Sequence, residues 1–116
     1  MFVNDCLNIN EKGHLTIGGC DTVELAKEYG TPLYVLDENT IRTTCRSYVE
    51  SFKKFYNGNG MPLYASKALS CKELCRIANE EHLGLDVVSG GEIYTAQQAG
   101  FPMEKTHFHG NNKTAA

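Results

Sequence analysis

A single lysine lies within a run of small and apolar residues, PLYASKALS, which covers Pro62–Ser70. In an extended strand Leu63, Ala65 and Lys67 would share one face. A lysine buried in such a strand must be paired, neutralised or used chemically, because an isolated ammonium in an apolar site is costly. Used chemically, its amine is a nucleophile that forms a Schiff base with a carbonyl group. Lys67 is therefore the first candidate catalytic residue.

Two further polar groups follow the next two predicted strands. Asp86 lies in the first of them, just before the sequence SGGE (Ser89–Glu92), and His109 ends the second. In β/α barrels the functional side chains lie at the C-terminal ends of the strands. A lysine, a carboxylate and an imidazole on adjacent strand ends would face one mouth and form a candidate catalytic set.

Each of these residues also has a structural interpretation. Lys67 could extend to solvent from the strand end or pair with Asp86, and spacing alone does not separate these roles from catalysis. SGGE could offer backbone N–H groups to a phosphate, but without a GxGxxG or GxxxxGK pattern an ordinary strand-to-helix turn is favoured. His107 and His109 alternate on one face of a strand, where a histidine is more often a core residue.

The five cysteines favour reduced thiols over a disulfide framework. Their number is odd and they are scattered along the chain. Cys71 and Cys75 lie four residues apart on a predicted helix, but no second close pair accompanies them. Helix packing is therefore favoured over a metal site, and no metal is predicted.

Strands and helices alternate along most of the sequence. The apolar periodicity and the turn residues predict the following elements in order: a strand at His14–Gly19, a helix at Asp21–Tyr29, a strand at Pro32–Glu38, a helix at Glu38–Tyr56, a strand in MPLYASKA (Met61–Ala68), a helix from Ser70, a strand at Gly84–Gly90, a short helix closed by Gly100, and a strand in THFHGNN (Thr106–Asn112). Asp21 and Ser70 are the predicted N-caps of their helices.

This alternation is typical of parallel sheets and predicts an α/β fold, a partial (β/α)8 TIM-like barrel with about its first three strands. Three parallel strands cannot close a barrel, so an open strand edge and an exposed apolar barrel-facing surface are expected. The sequence stops where another helix should begin, which we interpret as truncation. The alternative is a small three-layer α/β domain that is complete in itself.

Composition excludes several classes of protein. The chain has 116 residues, of which 41% are hydrophobic and 22% charged, as in soluble globular domains. The net charge is −3 and the charges are interspersed, so no basic stripe suggests nucleic acid or an anionic membrane surface. No leader-like N-terminus or long apolar segment is present in the sequence, and a cytoplasmic protein is expected.

Three motifs, in their order and separation, resemble one enzyme family. YASKA (Tyr64–Ala68), GLDVVSGGE (Gly84–Glu92) and HGNNKT (His109–Thr114) resemble the N-terminal part of the diaminopimelate decarboxylases, and GGCDTVELAKEYGTPLYVLDE (Gly18–Glu38) resembles the start of those enzymes. YASKA alone would indicate only the wider fold-type III group of pyridoxal phosphate enzymes, which includes ornithine and arginine decarboxylases and alanine racemase.

The resemblance implies that Lys67 binds pyridoxal 5'-phosphate as a Schiff base, with Asp86 and His109 beside the cofactor. It implies decarboxylation of meso-diaminopimelate to L-lysine and CO2. It also implies an alanine racemase-like barrel in residues 38–116, while residues 1–37 would belong to a β-domain region. The full-length protein would be a homodimer with shared active sites.

The family's phosphate loop, substrate arginines and catalytic cysteine and tyrosine are not found in the sequence, so the 116 residues alone are expected to be inactive. The alternatives are another fold-type III decarboxylase, of ornithine, arginine or carboxyspermidine type, and a non-catalytic pyridoxal phosphate-binding protein. A structural domain in which Lys67 pairs with Asp86 is the remaining possibility.

Overall fold

The computed structural model describes residues 4–111 and residue 113, so Asn112 and Thr114 of the HGNNKT motif lie outside the described residues. The chain divides into two compact units, the first ending at Thr43 and the second beginning at Thr44. This boundary lies within a helix and differs from the predicted division at residue 37, which stays a prediction.

The first unit contains a small antiparallel sheet and a short helix. Its elements are β1 (Leu7–Ile9), β2 (Leu15–Ile17), β3 (Cys20–Asp21) and α1 (Thr22–Tyr29), and the strands lie in the order β1-β2-β3. The predicted strand at His14–Gly19 and helix at Asp21–Tyr29 are confirmed. β1 and β3 were not predicted, because a short strand depends on a pairing partner that the local sequence does not identify.

Asp21 caps α1 and organises the turn that precedes it. Its Oδ1 accepts hydrogen bonds from the backbone N–H groups of Val23 (2.8 Å) and Glu24 (3.3 Å). Its Oδ2 accepts one from the Asn10 side chain at 2.7 Å and lies 2.9 Å from His14 Nδ1. The capping role predicted for Asp21 is therefore confirmed, and the carboxylate also ties the β1–β2 turn to the helix start.

The strand predicted at Pro32–Glu38 is wrong. Residues 30–37 contain no strand, and the side chains of Tyr34 and Leu36 are 94% and 55% exposed. An apolar run becomes a strand only when a neighbour supplies the ladder of hydrogen bonds, and no strand among the described residues pairs with this segment. The following helix, α2 (Glu38–Tyr56), has the predicted bounds.

The second unit is built on three parallel strands, β4 (Leu63–Ala65), β5 (Gly84–Val87) and β6 (Thr106–Phe108), in the order β4-β5-β6. The connections are α3 (Lys72–Glu80) between β4 and β5, and α4 (Gly90–Gln98) between β5 and β6. This confirms the predicted β/α alternation with three parallel strands.

The core of the second unit lies on the helix side of this sheet. Leu85 and Val87 on β5 are completely buried. The other buried apolar side chains are those of Cys45, Leu74, Cys75, Ile77, Ala78, Leu83, Ala96 and Phe101. Arg46 on α2 makes a bidentate ion pair with the buried carboxylate of Glu81, at 2.6 and 2.7 Å, and so fastens this part of α2 to the end of α3.

The start of α3 differs from the prediction. The helix begins at Lys72 with Cys71 as N-cap, and no side chain caps it. The Tyr64 hydroxyl donates to the Leu69 carbonyl oxygen at 2.9 Å, and Leu69 and Cys71 keep extended backbone angles. Ser70 therefore belongs to an extended connection.

In residues 4–111 no helix is long and apolar enough to cross a membrane.

Candidate functional site

The ends of the three parallel strands bring the predicted site residues to one edge of the sheet. Ala65, Asp86 and His107 are paired across β4, β5 and β6 and form one row. Lys67 follows Ala65 by two residues, and His109 follows His107 by two. Because the strands are parallel, all these residues lie towards the same C-terminal edge.

The two faces of the sheet differ in burial. Leu85 and Val87 face the helices and are fully buried, whereas Asp86, between them on β5, points to the opposite face and is half-buried. His107 lies beside Asp86 on that face and is exposed. The face that would line a barrel is thus the open one, as expected, but Asp86 and His107 make it partly polar, whereas the sequence predicted an apolar surface.

Lys67 lies just beyond the strand in which it was predicted. β4 ends at Ala65, and Ser66–Ala68 form a 3-10 turn. Lys67 is exposed, and within the described chain no ion pair joins it to Asp86. The prediction that Lys67 is buried in a strand is therefore wrong. The 3-10 turn ends the alternation of side chains between the two faces of the strand, and the Lys67 side chain is directed outwards.

The backbone groups of Asp86 and His109 are both hydrogen-bonded. The Asp86 carbonyl oxygen lies 3.2 Å from Ser66 Oγ, and the His109 N–H donates to the Val87 carbonyl oxygen at 2.9 Å. The last bond continues the ladder past the end of β6. Both residues lie where the sequence predicted, at neighbouring strand ends, and their contact with a cofactor stays a prediction.

A buried carboxylate that sequence reasoning missed lies beneath the Lys67 turn. Glu92, on the first turn of α4, is 8% exposed. Its Oε1 accepts a hydrogen bond from Ser66 Oγ at 2.7 Å. Its Oε2 accepts from Ser89 Oγ at 2.8 Å and from the Val88 N–H at 3.0 Å. Ser66, the neighbour of Lys67, is itself only 1% exposed.

These hydrogen bonds keep Glu92 ionised. The bond from Ser66 lowers the pKa of Glu92, and together with the bonds from Ser89 and Val88 it outweighs the opposite effect of burial. The spacing of Ser89 and Glu92 is that of a capping box, so part of this arrangement was present in SGGE as a signal. The hydrogen bond between Glu92 and Ser66 had no such signal in the sequence, because the two residues are far apart along the chain.

SGGE forms the strand-to-helix turn that was favoured for it. Ser89 is the N-cap of α4, and its Oγ accepts a hydrogen bond from the Glu92 N–H at 3.3 Å.

Cys75 is a buried residue of α3, where burial raises the pKa of its thiol, and Cys71 precedes that helix. The described residues contain no group of three potential metal ligands.

Comparison with known proteins identifies a consistent set of relatives. The family described as "Pyridoxal-dependent decarboxylase, pyridoxal binding domain" matches residues 38–116. The diaminopimelate decarboxylase of Bacillus methanolicus is 53% identical over 116 residues, which are all of this chain and 27% of that protein. The diaminopimelate decarboxylase of Bacillus subtilis is 50% identical over 114 residues, which cover 98% of this chain and 26% of that protein.

A solved structure agrees in fold as well as in sequence. The diaminopimelate decarboxylase of M. jannaschii, in complex with L-lysine, superposes with a TM-score of 0.84 and 39% sequence identity, covering 98% of this chain and 27% of that chain. The comparison confirms the partial barrel predicted from the sequence. The present chain spans about a quarter of the length of the relatives that it matches.

Proposed function

The chain belongs to the family of pyridoxal-dependent decarboxylases, and on this basis we propose that it contributes the lysine-bearing part of an enzyme that converts meso-diaminopimelate to L-lysine and CO2. Pyridoxal 5'-phosphate is the cofactor of the family, and Lys67 is the residue to which it would bind. The identity of about one half to named diaminopimelate decarboxylases, over the whole chain, supports this choice of substrate.

The observation that carries the proposal is the position of Lys67. Its side chain is exposed in the turn at the C-terminal end of β4, so an aldehyde can reach its amine. Ala65 and Ala68 are its near neighbours and present only methyl groups, which leaves room for a flat ring. The residues beside Lys67 therefore fit the aldehyde and the ring of pyridoxal phosphate.

In this site each residue has a limited task. Lys67 supplies the amine, which must lose a proton before it can attack the aldehyde carbon. Asp86 and His109, on the two adjacent strand ends, would lie beside the bound cofactor. When bound, pyridoxal phosphate withdraws electrons from the carbon that loses its carboxyl group. The carboxyl group leaves as CO2, and a proton replaces it on that carbon.

The wider organisation of the protein is part of the same proposal. We place the enzyme in the cytoplasm, as a homodimer in which both subunits contribute to each active site. Residues 1–37 would belong to a β-domain region and residues 38–116 to the barrel. The extent of the family match, which begins at residue 38, supports this division.

The test uses the full reading frame that encodes these residues. The purified protein is incubated with pyridoxal phosphate, reduced with borohydride and mapped by peptide mass. We expect a phosphopyridoxyl group on Lys67 and none on Lys72, an exposed lysine on α3 that serves as internal control. Lys67→Arg, which keeps the charge but cannot form the bond, should abolish the label.

The substrate is tested with the same protein. CO2 release from meso-diaminopimelate, but not from ornithine or arginine, is the expected result. Release from ornithine or arginine instead would replace the proposed substrate while keeping the cofactor. An unlabelled Lys67 in the folded protein would overturn the proposal altogether.

A further inference from the structure

The turn that carries Lys67 is tied to α4 through one buried side chain. Ser66 Oγ lies 2.7 Å from Glu92 Oε1 and 3.2 Å from the Asp86 carbonyl oxygen. This small hydroxyl thus connects the end of β4 with β5 and with the first turn of α4. The attachment is buried, since Ser66 and Glu92 are 1% and 8% exposed.

Ser66 and Lys67 point in different directions because of the turn between them. In a 3-10 helix successive side chains diverge by about 120°, since each turn takes about three residues. When the Ser66 side chain is fixed inwards, the side chain of Lys67 is directed to the exposed side. The inward contact of one residue therefore sets the direction of the next.

Glu92 differs in its contacts from an ordinary capping-box glutamate. In a capping box the glutamate carboxylate accepts from the N–H of the N-cap residue. Here Oε2 accepts from Ser89 Oγ and from the Val88 N–H, which leaves Oε1 for Ser66. The carboxylate therefore does more than cap α4, because it links that helix to the segment beside Lys67.

We propose that Ser66 and Glu92 are positioning residues, which hold the Lys67 turn so that the lysine amine meets the aldehyde of the cofactor. The inference rests on the proposed function, because it assumes that Lys67 binds pyridoxal phosphate. Hydrogen bonds to a charged acceptor are stronger than those between neutral groups, and Glu92 is ionised at neutral pH for the reasons given above. A single hydroxyl can therefore hold the turn.

The test separates positioning from a general loss of stability. In the full-length protein, total bound pyridoxal phosphate is measured first, and the fraction that borohydride fixes on Lys67 is measured second. A misplaced lysine lowers the ratio of covalently to non-covalently bound cofactor. A protein that is merely less stable loses both forms in proportion, so this ratio does not change.

Two variants and two matched controls are compared. Ser66→Ala removes the hydroxyl, and we expect the ratio to fall roughly tenfold, which corresponds to about 1.4 kcal/mol. Glu92→Gln keeps the shape but has one acceptor oxygen instead of two, so a smaller fall is expected. Ser51→Ala, which removes an exposed hydroxyl on α2, and Glu104→Gln, at an exposed carboxylate, should leave the ratio unchanged.

A conservative variant completes the set. Ser66→Thr retains the hydroxyl, and it should keep the ratio closer to that of the unaltered protein than Ser66→Ala does. If Ser66→Ala and Glu92→Gln bind the cofactor on Lys67 as completely as the controls, the positioning role is wrong while the proposed function stands. If the unaltered protein binds no cofactor on Lys67, the proposed function fails and this inference fails with it.

Discussion

At the scale of single residues, neighbours in sequence have opposite environments at the candidate site. Ser66 is buried and Lys67 is exposed, although the strand interpretation of YASKA predicted a buried lysine. Lys67 could be selected from the sequence as the candidate lysine, because a charge in an apolar run is rare, and its role stays a prediction. Its exposure could not be predicted, because Lys67 lies in the 3-10 turn that ends β4, and Ser66 in that turn bonds to Glu92, which is distant in sequence.

Gly84 is a residue at which any side chain would disturb the sheet. A Cβ added there would lie 2.6 Å from the Lys105 carbonyl oxygen and 2.6 Å from Leu63 Cδ2. The carbonyl belongs to the backbone and cannot rotate away. We expect Gly84→Ala to lower the free energy of unfolding by about 1–3 kcal/mol, the usual cost of overpacking.

Denaturant unfolding, followed by hydrogen exchange of the β5 amides, measures this effect. Gly91→Ala is the matched control, since the nearest atom to its added Cβ is Ser89 Oγ at 3.9 Å. Equal free energies of unfolding for the two variants would contradict this prediction. They would mean that β4, β5 and β6 can move apart enough to accommodate the added methyl group.

At the scale of elements, the sequence predicted those with a long pattern or a strong cap. The bounds of α2 and the cap of α1 were found, because nineteen residues of helical periodicity and an aspartate at an N-cap are local signals. The strand predicted at Pro32–Glu38 was wrong and β1 was missed, because a strand requires a partner that the local sequence does not identify. The start of α3 was misplaced because the hydrogen bond from the Tyr64 hydroxyl to the Leu69 carbonyl, which accompanies the extended connection before the helix, is not a local signal.

The cap of α1 should make the first unit sensitive to acid. Burial raises the pKa of Asp21, but the hydrogen bonds from His14, Asn10, Val23 and Glu24 outweigh it and hold the pKa well below its usual range. A carboxylate with a lowered pKa contributes stability that is fully present above its unfolded pKa of about 3.9 and is lost as the pH falls towards the folded value. We therefore expect the loss below about pH 4.

Asp21→Asn tests this expectation. The variant should be less stable at neutral pH and should show a flatter dependence of stability on pH in the acid range. Hydrogen exchange of the α1 amides, measured as the pH is lowered, gives the comparison. Glu11→Gln, at an exposed position in the same unit, should leave the acid dependence as it is in the unaltered chain.

At the scale of the whole molecule, the parallel sheet of the second unit has one face covered by helices and one face left open. Leu85 and Val87 are fully buried on the helix side, whereas the row of Ala65, Asp86 and His107 faces away from the helices. The chain also spans about a quarter of the length of its relatives. A site on the open face would need further residues to enclose a substrate.

We therefore expect no turnover of diaminopimelate by the 116 residues alone. Joined to the remaining part of the Bacillus methanolicus relative, in place of that protein's own matching segment, they should restore decarboxylation, because the two sequences are 53% identical over this length. The assay is CO2 release, and the same chimera with Lys67→Ala should be inactive. Turnover by the 116 residues alone would contradict the expectation.

The pairing of the parallel strands also bears on the order in which the protein can be made. Leu63 pairs with Gly84 and Leu85 with Thr106, so each strand joins one that follows it 21 positions later. Contacts over such short separations form early, since little chain entropy is lost in closing each loop. Once Phe108 has left the ribosomal exit tunnel, every strand of this parallel sheet is available to pair. The helix side of β5 can then be buried while the rest of the chain is still being synthesised.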